Sequence, residues 1–403
     1  LLNILLARWI TSEMYGVYSA TYSIFLLIST IQTAIIAEPM SIYGVEKYKN
    51  IIVYYLNYLL RMQWFGSFIL TFLLILISLF IRDRSISENL LMMALTMPFI
   101  LFFWYLRRAF YLEAKSGLAM TGSIIYFLTL LALIFILRST NHFSSIMAYL
   151  TMAISSLFAS IFTIKWLGVK FFGDNPRTPD LKTDIVRIEL WDMGKWLMFA
   201  YLASWFTTLS YPFLITVYIN PQFAGIFRSI QNIFLPFQQL LAALTLLLLP
   251  WLSKQKEKMG DRYLFIVTRR IAFGVSLGAT FYCIFIVLFR DEIMKFLYAN
   301  DLYTSSSGLL LYAAAVTIIG AIHLIFGLAL RVIRKTNIIL WSKGVSALFG
   351  LLVGIPVIWR YQINGVLFLF ITTAVIEAFI LIISYIRIER KIIFNKNRLE
   401  NIL

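Results

Sequence analysis

The chain has 403 residues, of which 61% are hydrophobic and only 13% are charged, and its formal net charge is +16. Soluble domains are about 45–50% apolar and about 25% charged, so this composition excludes a water-soluble protein. The apolar residues occur in blocks of about 20, which is the length of a helix that crosses a bilayer. The sequence therefore predicts an all-α polytopic membrane protein with about 12 transmembrane helices.

The first apolar run reaches Arg8 after a few residues and lacks the basic start of a signal peptide, so it predicts a truncated first membrane helix. This helix opens an N-terminal lobe that covers 1–167. The further predicted helices of the lobe cover 16–38, 63–81, 89–106, 118–137 and 143–167. A polar stretch rich in Pro, Asp and Lys then predicts a cytoplasmic linker over 168–192. The linker is followed by a C-terminal lobe, 193–386, and then by a basic tail over 387–403. The predicted helices of the C-terminal lobe cover 194–219, 225–252, 271–289, 307–330, 337–359 and 364–386.

Basic residues predict the orientation of these helices. Of the 35 Lys and Arg residues, 26 fall in the linker, the tail and the loops that follow even-numbered helices. Eight fall on the opposite side, and Lys343 lies inside a span. Since cytoplasmic loops carry an excess of Lys and Arg, both termini are predicted to be cytoplasmic. The same rule accounts for the positive net charge, so no nucleic-acid partner is predicted.

An internal repeat predicts how the helices are grouped. Segment 65–83 aligns without a gap to segment 273–291 at an offset of 208 residues, and the preceding helices align at an offset of 209. The informative identities are Gly16/Gly225, Gly66/Gly274, Arg82/Arg290 and Asp83/Asp291. Copies that lie six helices apart have the same orientation, which predicts two six-helix bundles related by a pseudo-two-fold axis along the membrane normal. Transporters built in this way use a cavity between the halves.

Several segments resemble a known superfamily. Segment 7–25 contains Tyr15, Gly16 and Tyr18 of a Gly-Pro-x-x-Tyr-Gly-x-Tyr pattern, with Ile10-Thr11 in place of Gly-Pro. Segment 223–253, with Gly225, Arg228, Pro236 and Pro250, is similar to the eighth helix of the same proteins, and 290–313 and 363–380 are similar to the segments around helices 10 and 12. The chain thus resembles the polysaccharide exporters of the multidrug/oligosaccharidyl-lipid/polysaccharide (MOP) superfamily, in its O-antigen flippase (Wzx-type) branch.

The resemblance implies a function and a location. Such a protein flips an undecaprenyl-pyrophosphate-linked oligosaccharide, an O-antigen, capsule or exopolysaccharide repeat unit, from the cytoplasmic to the periplasmic leaflet of the bacterial inner membrane. Its partners would be the lipid-linked substrate, the bilayer, and polymerase or assembly proteins. A polar cavity would replace the water that surrounds the sugar hydroxyls while the lipid tail stays in the membrane.

Two other functions compete with this interpretation. A MATE-like drug or cation antiporter of the same superfamily couples to protons or sodium through buried carboxylates of the first lobe. Here helices 2 to 6 hold only Glu38, at the cytoplasmic mouth, while Glu377 leaves coupling open in the second lobe. A membrane polysaccharide polymerase or ligase needs catalytic groups in a large outer loop, and the longest one covers only 290–306. We find no nucleophile–base spacing, phosphate loop or metal motif, so no enzyme, cofactor or metal is predicted.

Charged residues within the spans are the first candidate binding residues. Arg228, one turn into helix 8, either extends to lipid phosphates at the membrane interface or lines the cavity as a cation, with Gln231 at i+3 as its hydrogen-bonding partner. Lys343, Glu377 and His323 lie at similar depths on consecutive helices, so they are expected to meet. Either Lys343 and Glu377 form a static bridge, or Lys343 binds the pyrophosphate and Glu377 takes up a proton.

Aromatic residues and prolines supply the remaining candidates. Tyr211 and Trp205 lie deep in helix 7, where their rings could stack on sugars. Pro98, Pro212 and Pro236 lie within spans, where a missing backbone hydrogen bond permits a kink and therefore gating. We expect Pro212 to be the most important of these, since helix 7 is the second-lobe counterpart of helix 1.

Overall fold

The computed structural model describes residues 2–113, 115–167 and 182–400, which are helical with no strand among them. The helices are α1 (Leu2–Trp9), α2 (Ser12–Gln32), α3 (Glu38–Glu46), α4 (Ile52–Phe80), α5 (Arg84–Leu112), α6 (Ser116–Ser139), α7 (Ser145–Ile164), α8 (Thr183–Thr208), α9 (Tyr211–Tyr218), α10 (Pro221–Leu288), α11 (Arg290–Tyr298), α12 (Asp301–Ser305), α13 (Leu310–Val332) and α14 (Thr336–Glu400). A π-helical turn, Thr33–Ala37, joins α2 to α3.

The helices have the length and composition that a membrane requires. In the described part of the chain, nine helices are long and apolar enough to cross a bilayer, and the bent pair α8–α9 raises this number to ten. The predicted class, an all-α polytopic membrane protein, is confirmed. The apolar part of α14, Thr336–Ile392, has 57 residues. At about 1.5 Å per residue it is almost three times as long as the bilayer core is thick, about 30 Å.

Two long helices are therefore interrupted. In α14 the break is at Gln362, with φ 50° and ψ −131°, and it separates the segments predicted as 337–359 and 364–386. In α10 the break is at Gly260, whose φ of 80° suits a residue without a Cβ. At an offset of 208 residues Phe80, the end of α4, corresponds to Leu288, the end of α10. The helix boundaries thus follow the sequence repeat.

The described residues form two compact units. The first comprises Trp9–Trp205, and the second comprises Asn3–Arg8 with Phe206–Leu403, as far as these ranges are described. The predicted linker, 168–192, precedes this division. Residues 168–181 lie outside the described residues, whereas 183–192 form the first turns of α8. The helix extends into the polar stretch because Val186 and Leu190 pack into an apolar cluster of the first unit.

In the first unit α5 packs against α2, α4, α6 and α7. Buried hydroxyls reach backbone carbonyls between these helices: Tyr105 Oη donates to Leu56 O at 2.7 Å and Tyr149 Oη to Tyr18 O at 3.1 Å. At Gly194 of α8 an added Cβ would lie 3.0 Å from the Cα of Ile35, in the π-helical turn. Glycine therefore allows α8 to pack closely against this turn.

In the second unit α13 packs against both α10 and α14. The two segments of α14 approach each other closely after the break at Gln362. A Cβ added to Gly365 would clash with the backbone carbonyl of Val357, so only glycine allows the two segments to lie this close. Gly354 faces Leu369 of the other segment. Small residues allow helices to pack closely in membranes, and this packing brings residues 343 and 377 opposite each other.

Candidate functional site

A cavity of about 350 Å³ lies within the second unit. Its described lining residues come from the end of α8, the turn residue Leu209, α10, α13 and both segments of α14. The volume falls at the lower end of the range of ligand sites, about 300–1,000 Å³. Five of the residues predicted as cavity residues line it, namely Arg228, Gln231, His323, Lys343 and Glu377.

One face of α10 forms the longest wall. The lining residues of this helix are Arg228, Gln231, Phe234, Leu235, Gln238, Leu241, Ala242 and Thr245. Spacings of three and four residues place them on a single helix face. At about 1.5 Å per residue this wall is about 25 Å long, most of the thickness of the hydrocarbon core. Polar side chains recur along it, so the cavity offers hydrogen bonds inside an otherwise apolar unit.

The opposite walls follow the same helical spacing. On α13 the lining residues are Ala313, Val316, Thr317, Gly320, His323 and Leu324. On α14 they are Lys343 from the first segment and Phe370, Thr373, Ala374 and Glu377 from the second. Each wall combines small apolar residues with hydroxyl or ionisable groups. This mixture resembles ligand sites, which are mostly apolar with a few placed polar groups.

Three ionisable side chains meet at one carboxylate oxygen. Lys343 Nζ lies 3.2 Å from Glu377 Oε1, and His323 Nε2 lies 3.7 Å from the same oxygen. The other imidazole nitrogen, Nδ1, is 3.1 Å from Ile319 O. The Glu377 side chain is only 11% exposed. The structure therefore brings together the three residues that the sequence placed at similar depths.

This convergence has an electrostatic reason. An isolated charge at the centre of a bilayer costs about 2.5–3.5 kcal/mol on insertion scales. Placing Lys343 beside Glu377 offsets that cost for both groups, because each supplies the counter-charge of the other. With His323 neutral, the cavity lining carries two formal positive charges, on Arg228 and Lys343, and one negative charge, on Glu377. The cavity is therefore formally cationic.

Arg228 forms the predicted contact with Gln231. The Arg228 side chain is buried, and its Nη1 donates to Gln231 Oε1 at 3.2 Å. Gln231 Nε2 in turn donates to Thr208 O, near the end of α8, at 3.4 Å. The amide thus orients the guanidinium and ties α10 to the last residues of α8. A planar guanidinium held in this way matches the geometry of carboxylate and phosphate groups.

Tyr211 and Trp205 are not among the described residues that line this cavity. Trp205 is buried in the first unit, where its Nε1 donates to Ser23 O of α2 at 2.8 Å. Tyr211 packs behind the cavity wall, with Oη 3.3 Å from Thr373 Oγ1 and its ring centroid 5.3 Å from that of Phe370. Depth along a helix did not reveal which way either ring points. Sugar stacking by these rings stays a prediction that their positions do not favour.

The predicted kink positions differ from one another. Helices α5 and α10 continue through Pro98 and Pro236. The bent pair turns by 55° between α8 and α9, directly before Pro212. Proline is tolerated in a first helical turn because its missing N–H has no intrahelical partner there. The break thus lies where helix 7 was predicted to bend, while gating by any of the three prolines stays a prediction.

Sequence reasoning missed several polar lining residues. Gln238 and Thr245 follow the predicted Gln231 at intervals of seven residues along α10, which was a detectable signal for one polar helix face. Thr207, Thr208, Thr317 and Thr373 carried no such signal, because threonine is common in membrane helices. Among the described residues no cluster of three or more His, Cys, Asp or Glu could hold a metal ion.

Comparison with known proteins finds one matching protein family. A family model described as "Polysaccharide biosynthesis protein" matches residues 1–256. A search of curated proteins finds no match to this chain. The family match confirms the resemblance to polysaccharide exporters that the sequence indicated.

Solved structures share the fold at low sequence identity. One is an inward-facing multidrug resistance MATE family transporter of the MOP superfamily, with a TM-score of 0.76 and 12% identity over 98% of this chain and 94% of that chain. A second is the lipid II flippase MurJ in an inward closed conformation, with a TM-score of 0.71 and 14% identity over 95% and 84% of the two chains. A third is a MOP superfamily transporter from Pyrococcus furiosus, with a TM-score of 0.67 and 12% identity over 96% and 91%.

Proposed function

Because the chain belongs to the polysaccharide biosynthesis protein family, we propose that it flips an undecaprenyl-pyrophosphate-linked oligosaccharide from the cytoplasmic to the periplasmic leaflet. The family and the MOP fold together support a membrane transporter rather than an enzyme. The repeat unit of an O-antigen, capsule or exopolysaccharide is the cargo, and a polymerase or assembly protein receives it. The protein works in the bacterial inner membrane with both termini in the cytoplasm, in line with its basic loops.

The observation that carries this proposal is the cationic cavity within membrane-spanning helices. A sugar or diphosphate that enters hydrocarbon loses its hydrogen bonds to water, at a cost of about 2–7 kcal/mol for each neutral polar group. Along the α10 wall, the side chains of Gln231, Gln238 and Thr245 offer replacement hydrogen bonds. Arg228 and Lys343 supply positive charge for an anionic head group.

Alternating access then needs helices that change shape. The 55° bend before Pro212 and the break at Gln362 interrupt the backbone of two helices that border the cavity. Breaks of this kind concentrate dihedral changes in a few residues, as hinges do. We assign Pro212 to gating on this basis, and Pro98 and Pro236 to smaller adjustments within continuous helices.

The MATE-like drug or cation antiporter is the second candidate. It is favoured by the fold shared with the MATE family transporter, which extends over 98% of this chain. However, organic cations would meet two fixed positive charges and one carboxylate in the described cavity. Charge complementarity therefore favours an anionic ligand. A polysaccharide polymerase or ligase would need outer-face catalytic groups, for which the sequence offers no motif.

Reconstitution into liposomes tests the proposal directly. Purified protein is inserted with a fluorescent polyprenyl-diphosphate oligosaccharide, and transbilayer movement is followed by reduction of the fluorophore in the outer leaflet. We expect movement well above that of protein-free liposomes, and no export of ethidium by the same vesicles. Movement of ethidium without movement of the lipid-linked sugar would favour the antiporter instead.

A further inference from the structure

We propose that the binding of an anion at Lys343 is linked to the uptake of one proton by the pair His323–Glu377. This inference rests on the proposed function and deepens it, since it concerns the same cavity. It follows from the fact that two basic side chains share one oxygen, Oε1 of Glu377. The anion is a phosphate or a carboxylate, from the diphosphate or from an acidic sugar of the cargo.

The hydrogen-bond pattern of His323 defines where a proton is missing. Its Nδ1 lies 3.1 Å from Ile319 O, and a carbonyl oxygen only accepts. Nδ1 therefore carries the ring proton of the neutral imidazole, and Nε2 presents a lone pair. Nε2 lies 3.7 Å from Glu377 Oε1, so two hydrogen-bond acceptors are neighbours. One added proton between Nε2 and Oε1 would convert this contact into a charge-assisted hydrogen bond.

Lys343 makes the contact tolerable without that proton. Its ammonium group is 3.2 Å from the same oxygen and compensates the carboxylate charge. The lysine side chain is 26% exposed and lines the cavity, so an anion in the cavity can reach Nζ. Lysine is also flexible enough to turn toward a new partner, since its charge sits on a four-carbon stem.

Anion binding removes the charge compensation of the Glu377 carboxylate. When the ammonium group turns to the anion, a carboxylate that is 11% exposed loses its closest counter-charge. A buried charge without a partner is costly, and the smallest available remedy is one proton from solvent. The proton is held between Glu377 Oε1 and His323 Nε2, and no bond other than those to this proton changes.

The other charged groups around the cavity do not supply this compensation. Arg228 on α10 is the remaining ionisable residue among the described lining residues, and a guanidinium has only hydrogen-bond donors and no acceptor site for a proton. The lining residues of α8 are threonines, and Leu209 follows them. Proton uptake therefore falls on His323 and Glu377.

The sign of the linkage follows from mass action. A protein that gains a proton on binding an anion binds that anion more tightly at lower pH. For one linked proton the dissociation constant falls by up to about tenfold for each pH unit. Conversely, a bound anion makes the pair hold its proton more tightly, because thermodynamic linkage is reciprocal.

Isothermal titration calorimetry of the purified full chain in nanodiscs tests the inference. Inorganic pyrophosphate and glucuronate are titrated separately near pH 7 in buffers that differ in ionisation enthalpy, which counts the protons taken up on binding. We expect uptake of up to one proton in addition to any change in the ionisation of the probe itself. If only pyrophosphate binding is linked to proton uptake, the anion is the diphosphate. If only glucuronate binding is linked to it, the anion is an acidic sugar.

Two variants assign the proton. In Glu377→Gln we expect anion binding without uptake of the linked proton. His323→Gln is the second variant, to be measured if Glu377→Gln does not fold, and it should reduce the number of protons taken up. Glu389→Gln is the matched control, because Glu389 is a buried carboxylate of α14 that pairs with Arg269. It should keep the linkage of the wild-type protein.

The inference is overturned if neither probe binds, if binding takes up no linked proton, or if Glu377→Gln takes up as many protons as the wild type. Flipping of the lipid-linked sugar by a wild-type protein without linkage would leave the proposed function intact. Linkage in a protein that does not flip the lipid would instead contradict the proposed function alone.

Discussion

Lys343 and Glu377 stand 34 positions apart in the sequence, yet their side chains meet at 3.2 Å because α14 turns back at Gln362. Both side chains line the cavity of the second unit. The contact is therefore an ion pair that a ligand in the cavity can reach, and it distinguishes two roles, a static bridge and a binding site.

A charge swap separates these two roles. Lys343→Glu combined with Glu377→Lys keeps one cation and one anion, so the protein should still accumulate in the membrane. The swap moves the ammonium group next to His323 and away from its present place. Charged hydrogen bonds contribute about 1.5–3 kcal/mol, so we expect polymer export to fall by about 10- to 100-fold. Export at the wild-type level by the swapped protein would favour the static bridge.

Arg228→Ala tests the second cation of the cavity lining, which lies at the start of the α10 wall. The change removes the guanidinium that Gln231 orients, and we expect export to fall by about tenfold or more while the amount of membrane-inserted protein is unchanged. The matched control is Arg360→Ala, because the Arg360 side chain is exposed, lies against the Tyr361 ring and is not a described lining residue. Equal export by both variants would argue against anion binding at Arg228.

Gln238→Leu tests the polar stripe of α10. Leucine has a similar volume and a strong helix propensity, so the helix should fold normally. The variant loses one hydrogen-bonding group of the cavity wall, and we expect the flipping rate in liposomes to fall several-fold. Gln239→Leu is the neighbouring control, since Gln239 is exposed and is not among the described lining residues. A loss of the same size in both variants would contradict a specific role for the stripe.

Gly365→Ala tests the turn within α14. The added methyl group would clash with Val357 O, so the two segments must move apart. Overpacking of this kind costs about 1–3 kcal/mol, and the midpoint of thermal unfolding in detergent should fall by several degrees. At Gly344 an added Cβ meets nothing within 4 Å, so Gly344→Ala should unfold at or above the wild-type temperature. An unchanged midpoint for Gly365→Ala would contradict this close packing.

Trp205→Leu separates packing from sugar stacking. The indole is buried and donates to Ser23 O, so its loss should destabilise the first unit by about 2–4 kcal/mol. We expect a lower unfolding temperature but a normal flipping rate per folded molecule at low temperature. A normal unfolding temperature combined with slow flipping would restore the stacking interpretation.

Much of the fold was predictable from the sequence for a simple physical reason. Blocks of apolar residues specify membrane helices locally, because each span satisfies its own backbone hydrogen bonds whatever its neighbours are. The repeat predicted that the end of α4 corresponds to the end of α10, and the i+3 spacing predicted the contact between Arg228 and Gln231. The cost of an isolated charge in hydrocarbon likewise predicted that Lys343, Glu377 and His323 would meet.

Only the tertiary structure decided which helix faces border the cavity. Periodicity shows that Trp205, Tyr211 and Gln238 lie on helices, but the direction of each side chain depends on how those helices pack. Packing turned Trp205 toward Ser23 of the first unit and Tyr211 toward Phe370, and it left Gln238 in the cavity wall. The sequence predicted separate helices on either side of Gly260 and of Gln362, and the structure identifies these two residues as the points where the helical backbone is interrupted. Apolar spans are nearly interchangeable in sequence, so long-range contacts, rather than local propensity, select their partners.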